Sequence, residues 1–241
     1  SVRRRVLPAK EMQAIRKYVK AGKPVVGIRT ASHAFSLRGK EPPAGYADWT
    51  EFDAYVFGGN YKGHHANDLK SMVTINPAQK QNPILDGISD KPFPQAYSLY
   101  EVSPLAKGTT VLMTAEIPGK PVEPVAWTFQ RKDGGKSFYT SLGHPGDFKQ
   151  PEFVRLLTNS IYWAAGLDPA NVKVSQKVSL NDAPHWSVVE VPGNGSTVKT
   201  DQGRWYRCVV RIPEAWKAGK TLLLTAGNAD NTQVRAWLNG T

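Results

Sequence analysis

Ser137-Phe138-Tyr139-Thr140-Ser141-Leu142-Gly143-His144-Pro145-Gly146-Asp147-Phe148 is the stretch of this 241-residue chain on which the fold turns. Residues 137–142 predict a strand. Gly143-His144-Pro145 then breaks it, and residues 151–165 predict a helix whose apolar residues are Phe153, Leu156, Leu157, Ile161 and Trp163. Immediately upstream, Lys132-Asp133-Gly134-Gly135 is a strong hairpin-turn signal that joins this strand to another at residues 124–129. Residues 110–114 read as one strand more.

Toward the N-terminus, residues 8–21 predict an amphipathic helix. Pro8 suits its first turn, Met12, Ile15 and Val19 recur at helical spacing, and Gly22 stops it. Residues 24–28 form a short apolar run of the kind found in buried parallel strands. A second such run, residues 52–57, ends at Gly58-Gly59 and is read as a strand. Residues 67–104 are rich in Pro, Asn, Asp and Ser and are mostly loop with short strands. A helix followed by strands that end in glycine-containing loops points to an open α/β sheet. After Gly166 the character changes. Leu167-Asp168-Pro169 closes the helix, and short strands at 186–191, 205–212, 221–226 and 234–238 alternate with polar turns, which argues for an all-β sandwich. The expected division is an α/β domain over 1–167 and a β-sandwich over 168–241. The latter is short for a sandwich and ends on the turn signal Asn239-Gly240-Thr241, so it is expected to be partial.

Composition narrows the function classes. The chain is 40% hydrophobic and 21% charged, ordinary for a globular protein. No stretch approaches the roughly 20 apolar residues that span a bilayer, so no membrane partner is expected. The net charge of +11 invites a nucleic-acid reading, but the basic residues are scattered apart from Arg3-Arg4-Arg5, and no nucleic-acid-binding signature accompanies them. The expectation is no nucleic acid. The single cysteine, Cys208, excludes an internal disulfide and a cysteine-rich metal site.

Several motifs resemble the ThuA-like (trehalose-utilisation) branch of the class I glutamine amidotransferase fold, which is flavodoxin-like. They are Pro124-Val-Ala-Trp-Thr128, the passage from Gly135 to Phe148, and the helix from Phe153 to Gly166. The stretches from Val26 to Phe35 and from Phe57 to His65 resemble two further family motifs. The resemblance covers about residues 5–166. It implies further strands and helices ahead of this segment, so the sheet is expected to lack its first elements or to be completed by another chain or segment. More weakly, Gly203-Arg-Trp-Tyr-Arg207, Ile212-Pro-Glu-Ala-Trp216 and Ala236-Trp-Leu-Asn-Gly240 resemble a galactose-binding-like sandwich.

The resemblance also locates candidate chemistry. Glutamine amidotransferases lift a cysteine nucleophile on a sharp Gly-x-Cys-x-Gly turn, and the matching stretch here is Gly27-Ile28-Arg29-Thr30-Ala31. A guanidinium cannot attack an amide carbon, so glutaminase activity is not expected. Arg29 can instead hold an anion, polarise an oxygen, or bridge loops through its several donors. His144 stands where that fold presents its catalytic histidine, with Asp147 placed to orient it; the two are read as an acid–base pair. His33, Tyr61, His64, His65 and Tyr139 are read as shaping a substrate pocket, with Trp49, Tyr61 and Tyr139 able to stack on a sugar. Adjacent histidines on an extended chain point opposite ways, so at most one of His64 and His65 is expected to face the site. His185 lies in the second domain and is read as packing locally. Tyr97-Ser98 stands where the family carries two acids. No cofactor is predicted, although the imidazoles with Asp147 make a divalent-metal site conceivable. Three functions follow as expectations: a protein that binds or processes a sugar or keto-sugar, a non-catalytic glycan- or protein-binding scaffold, and a metal-dependent hydrolase. The expected partner is a small-molecule or oligosaccharide ligand, and an exported location is favoured.

Overall fold

The computed structural model describes residues 5–37 and 39–171. The β-sandwich expectation, with Cys208 and His185, lies outside these residues. In chain order the elements are β1 (Leu7–Pro8), α1 (Ala9–Lys20), β2 (Val25–Ile28), β3 (Tyr46–Ala47), β4 (Gly63–His64), β5 (Met72–Ile75), β6 (Phe93–Pro94), β7 (Tyr100–Glu101), β8 (Thr109–Glu116), β9 (Glu123–Gln130), β10 (Lys136–Thr140) and α2 (Pro151–Ala164). Short helical turns occur at Arg29–His33, Asp53–Phe57 and Asp147–Lys149. No described helix is long and apolar enough to cross a membrane.

Six strands form one mixed sheet in the order β2-β10-β9-β8-β5-β6, and β1–β3 and β4–β7 form two small ribbons. Among the described residues only the β2–β10 pair is parallel, with Ser137 opposite Val25 and Thr140 opposite Ile28. The other pairs in the sheet are antiparallel. The hairpin expected at Lys132–Gly135 joins β9 to β10, and Gly134 supplies the positive φ of 82° that the turn requires. Open α/β character is therefore present, but in a mixed sheet rather than an all-parallel one.

Successive side chains of a strand point to opposite faces, and β10 shows what that does here. Phe138 joins the core packed under α2 with Phe153, Leu156 and Leu142. Its neighbour Tyr139 joins the core on the other face with Met12 and Val19 of α1, Phe57 and Trp127. Arg131, only 2% exposed, latches the hairpin to the end of α1. Its guanidinium donates to Val19 O at 3.2 Å, to Lys23 O at 2.7 Å and to Ser137 Oγ at 2.8 Å, and pairs with the Asp133 carboxylate at 3.1 Å.

One element differs in kind from its sequence reading. Residues 52–57 were expected to be a strand, yet Asp53–Phe57 is a single wide helical turn ended by Gly58 in the left-handed conformation. A short apolar run has no periodicity that separates the two. Packing decides it. The turn drives the Phe57 ring over Gly27, where a Cβ would sit 2.3 Å from that ring. The Phe57 carbonyl, left over at the end of the turn, accepts a 2.7 Å hydrogen bond from Trp127 Nε1.

Candidate functional site

Because β2 and β10 are parallel, the loops that leave their carboxyl ends emerge on the same edge of the sheet, where open α/β folds place ligands. One loop carries Arg29 and His33; the other carries His144. Arg29 is the only described non-glycine residue with positive φ, at 44°. Such a conformation costs roughly 1 kcal/mol or more and persists only when its surroundings hold it. They do so here. Arg29 NH1 donates to Ser98 O at 3.0 Å and to Ser141 O at 2.9 Å, and NH2 donates to Ser98 Oγ at 2.9 Å. The Tyr139 hydroxyl donates to the Arg29 carbonyl. Three of the five guanidinium donors are thus spent on tying the 97–100 segment to the end of β10. The bridging role anticipated for Arg29 is what this geometry displays.

Around the guanidinium lies a continuous aromatic group. Its carbon sits 4.2 Å from the Tyr100 ring centre and 5.6 Å from that of Tyr97. Tyr97 stacks on His144 with centroids 4.5 Å apart and planes 4° from parallel. Tyr100 meets Tyr61 at 4.7 Å and His33 at 6.0 Å, and His33 stacks on Tyr61 at 4.3 Å. His64 approaches Tyr100 at 6.4 Å. Tyr100 is the hub of this group and is itself buried, whereas Tyr97 is 39% exposed.

His144 and Asp147 do not form the pair that their spacing suggested. Both Asp147 oxygens are occupied by backbone amides: Ala96 N–H donates to Oδ1 at 2.8 Å, and Gly143 and His144 N–H donate to Oδ2 at 2.8 and 2.9 Å. Asp147 therefore shapes the loop rather than the imidazole. His144 Nδ1 accepts the Gly146 N–H at 3.2 Å, so in the neutral ring the proton sits on Nε2. Burial, with Arg29 as a smaller contributor, holds the His144 pKa below its ordinary value against the opposing charge of Asp147. At neutral pH the side chain is a neutral N–H donor. It suits polarisation of an oxygen better than removal of a proton.

The remaining candidates separate. His33, Tyr61 and His64 join the cluster. His64 Nδ1 donates to His65 O at 2.8 Å and the His64 side chain faces outward, while His65 Nε2 is buried without a partner. The two rings diverge, as expected of adjacent residues on an extended chain. Tyr139 is fully buried, so it supports the Arg29 turn from below and cannot stack on a ligand; Trp49, 3% exposed, is core as well. Among the described residues no group of three or more His, Cys, Asp or Glu is gathered to hold a metal ion.

Three participants escaped the sequence reading. Tyr97 enters the sequence reading only as the replacement of an acid, and Tyr100 has no role there, although four residues containing two tyrosines beside a strand end are an aromatic signal in themselves. Asp53, a lone acid inside the apolar run 52–57, is the third. A single ionisable residue in such a run is the available signal, since acids are rarely enclosed without cause.

The fold and this cluster define a mixed α/β protein with an aromatic, histidine-bearing surface at the ends of its parallel strands. The chain belongs to the ThuA family, described as trehalose utilisation, whose match runs over residues 2–164. Its family places it in a carbohydrate-related context. Among solved structures it is similar to the crystal structure of SMU.1228c, with 17% identity and a TM-score of 0.34 over 57% of this chain and 49% of that one. The chain thus spans about half the length of that protein. No curated protein matches it.

Proposed function

We propose that this chain binds a sugar or keto-sugar through the Tyr97–His144 face and acts on it, or presents it, without glutaminase chemistry. The observation that carries the reading is the convergence of the Arg29, His64, Tyr97–Tyr100 and His144 segments in one continuous cluster. Sugars offer apolar C–H faces to aromatic rings and hydroxyl or carbonyl oxygens to N–H donors. An exposed tyrosine lying flat on a neutral imidazole supplies both. In this reading Tyr97 stacks on the ring, His144 Nε2–H polarises a hydroxyl or carbonyl oxygen, and His33, Tyr61 and His64 border the bound ring. Arg29 and Asp147 hold the loops in place.

A screen of disaccharides and their 3-keto forms, by calorimetry and by turnover, tests this. Tyr97→Ala and His144→Ala are each expected to weaken binding of the best ligand by about tenfold, the scale of one lost stacking or hydrogen-bonding contact. Unchanged affinity in both variants would sink the assignment. The non-catalytic scaffold remains as a second reading for a specific reason: Arg29 and Asp147, the two charged groups placed for chemistry, are consumed by internal hydrogen bonds. Binding without turnover across the panel selects it.

A further inference from the structure

Beneath the aromatic cluster lies a carboxyl group that neither the family match nor the sugar-binding reading uses. Asp53 opens the wide helical turn, and the chain returns over it through Gly58-Gly59-Asn60-Tyr61. Its Oδ2 accepts the Tyr61 N–H at 2.9 Å, and the Gly59 N–H donates to its backbone carbonyl at 3.3 Å. The other oxygen, Oδ1, is buried and has no hydrogen-bond partner. Gly59 is packed so tightly against it that a Cβ there would lie 2.3 Å from Oδ1. No ion pair to Asp53 occurs among the described residues. An enclosed carboxylate oxygen without donor or cation is costly, and the cheapest remedy is a proton.

We propose that Asp53 is a positioning residue of the candidate site: protonated on Oδ1 it stays enclosed under the Gly59–Tyr61 loop, and loss of that proton loosens the loop and with it the Tyr61–His33 stack. Oδ2 is committed to the Tyr61 amide, so Oδ1 is the atom left to carry the proton. Burial pushes the Asp53 pKa up to about 6, with the Tyr61 hydrogen bond acting in the opposite direction. From β10, Tyr139 faces the carboxyl closely enough to sense its charge. Burial raises that phenol well above its ordinary value, so it stays neutral throughout the range in which Asp53 titrates. Arg29 and Tyr100 act on the same phenol from the turn after β2 and from β7. None of these groups supplies Asp53 with a donor. Because the enclosed form binds the proton more tightly than the open form, closure is favoured in acid and weakens as the pH rises through about 6.

The inference concerns the same site as the sugar-binding reading, but its test uses the ligand-free protein, so the two fail separately. Carbon-13 NMR of the Asp53 carboxyl and proton NMR of the Tyr61 amide, followed from about pH 4 to about pH 8, are expected to share a midpoint near 6. The protection factor of the Tyr61 amide is expected to fall across that range by on the order of a hundredfold, the equivalent of a two-unit shift. Asp53→Asn keeps an acceptor for Tyr61 N–H and carries no charge, so it should abolish the step while the Tyr61 ring resonances hold their low-pH positions. A carboxyl midpoint near the ordinary value of about 4 would overturn the proposal. So would a Tyr61 step that survives in Asp53→Asn. The carboxyl titration needs only the unaltered protein and decides the matter even if the variant fails to fold.

Discussion

His144 shows how much a single residue's role depends on its bonds. Its position at a strand end and the nearby Asp147 suggested an acid–base pair, yet the carboxylate spends its hydrogen bonds on backbone amides. The imidazole is left neutral, shielded by Tyr97 and held below its ordinary pKa first by burial. Its ring protons are expected to titrate with a midpoint below the unperturbed value of about 6.5 when followed by NMR. Asp147→Asn removes the one influence that raises this pKa, so the midpoint should move lower still. An upward movement would mean that the loop, not the charge, governs the ring. The histidine and its strand-end location were legible in the sequence. Which atoms Asp147 would serve was not, because two of its three donors are its own loop's amides and the third, Ala96 N–H, comes from about fifty residues away.

At the scale of elements, the β9–β10 hairpin was readable from Lys132-Asp133-Gly134-Gly135, but its anchorage was not. Arg131 sits at the base of the turn and reaches back to the end of α1, more than a hundred residues earlier. Asp133 is itself held below the usual carboxylate range by hydrogen bonds from Arg131 and Gly135 that outweigh the cost of burial. Arg131→Ala leaves the Val19 and Lys23 carbonyls and the Asp133 carboxylate without their shared donor. Urea denaturation is expected to show a loss of about 3–5 kcal/mol, the usual cost of removing one partner from a buried charged network. A loss below about 1 kcal/mol would mean that water replaces the guanidinium. Gly135 belongs to the same arrangement, since a Cβ there would collide with Arg131 NH2 at 1.9 Å. The misread 52–57 turn teaches the opposite lesson. Its Phe52, Val56 and Phe57 are core residues that either element could have buried, and only the fit of Phe57 over Gly27 chose helix over strand.

For the molecule as a whole, the enclosed Asp53 and the partly buried His144 act against each other in stability as the pH changes. Asp53 has its pKa raised by folding, so the stability it contributes is present at low pH and is lost as the pH rises from about 4 through about 6. His144 has its pKa lowered, so its contribution is present above its ordinary value and is lost as the pH falls through the folded value. Just below about pH 6, where both groups differ in protonation between the folded and unfolded chain, their opposed slopes should partly cancel. Asp53→Asn removes the falling one. Its melting temperature is therefore expected to rise with pH across that window more steeply than that of the unaltered protein, as scanning calorimetry would record. Parallel curves would show that Asp53 does not change its protonation on folding.

What the sequence determined by itself was a few main elements and the family: the helix–strand opening, the hairpin, the strand–loop–helix from Ser137 to Ala164, and the motifs that run through them. These rest on local patterns of turn residues and apolar spacing, which neighbouring residues alone can impose. The tertiary structure decided which side chains do the work. Pairing β2 with β10 in parallel put Arg29 and His144 on one edge, and the 97–100 segment arrived there by hydrogen bonds to the Arg29 guanidinium. Those long-range contacts turned the expected catalytic arginine and aspartate into loop anchors, and they brought forward Tyr97, Tyr100 and Asp53. The reason is physical: a side chain's role depends on which of its donors and acceptors are already satisfied, and that is settled only when distant segments meet.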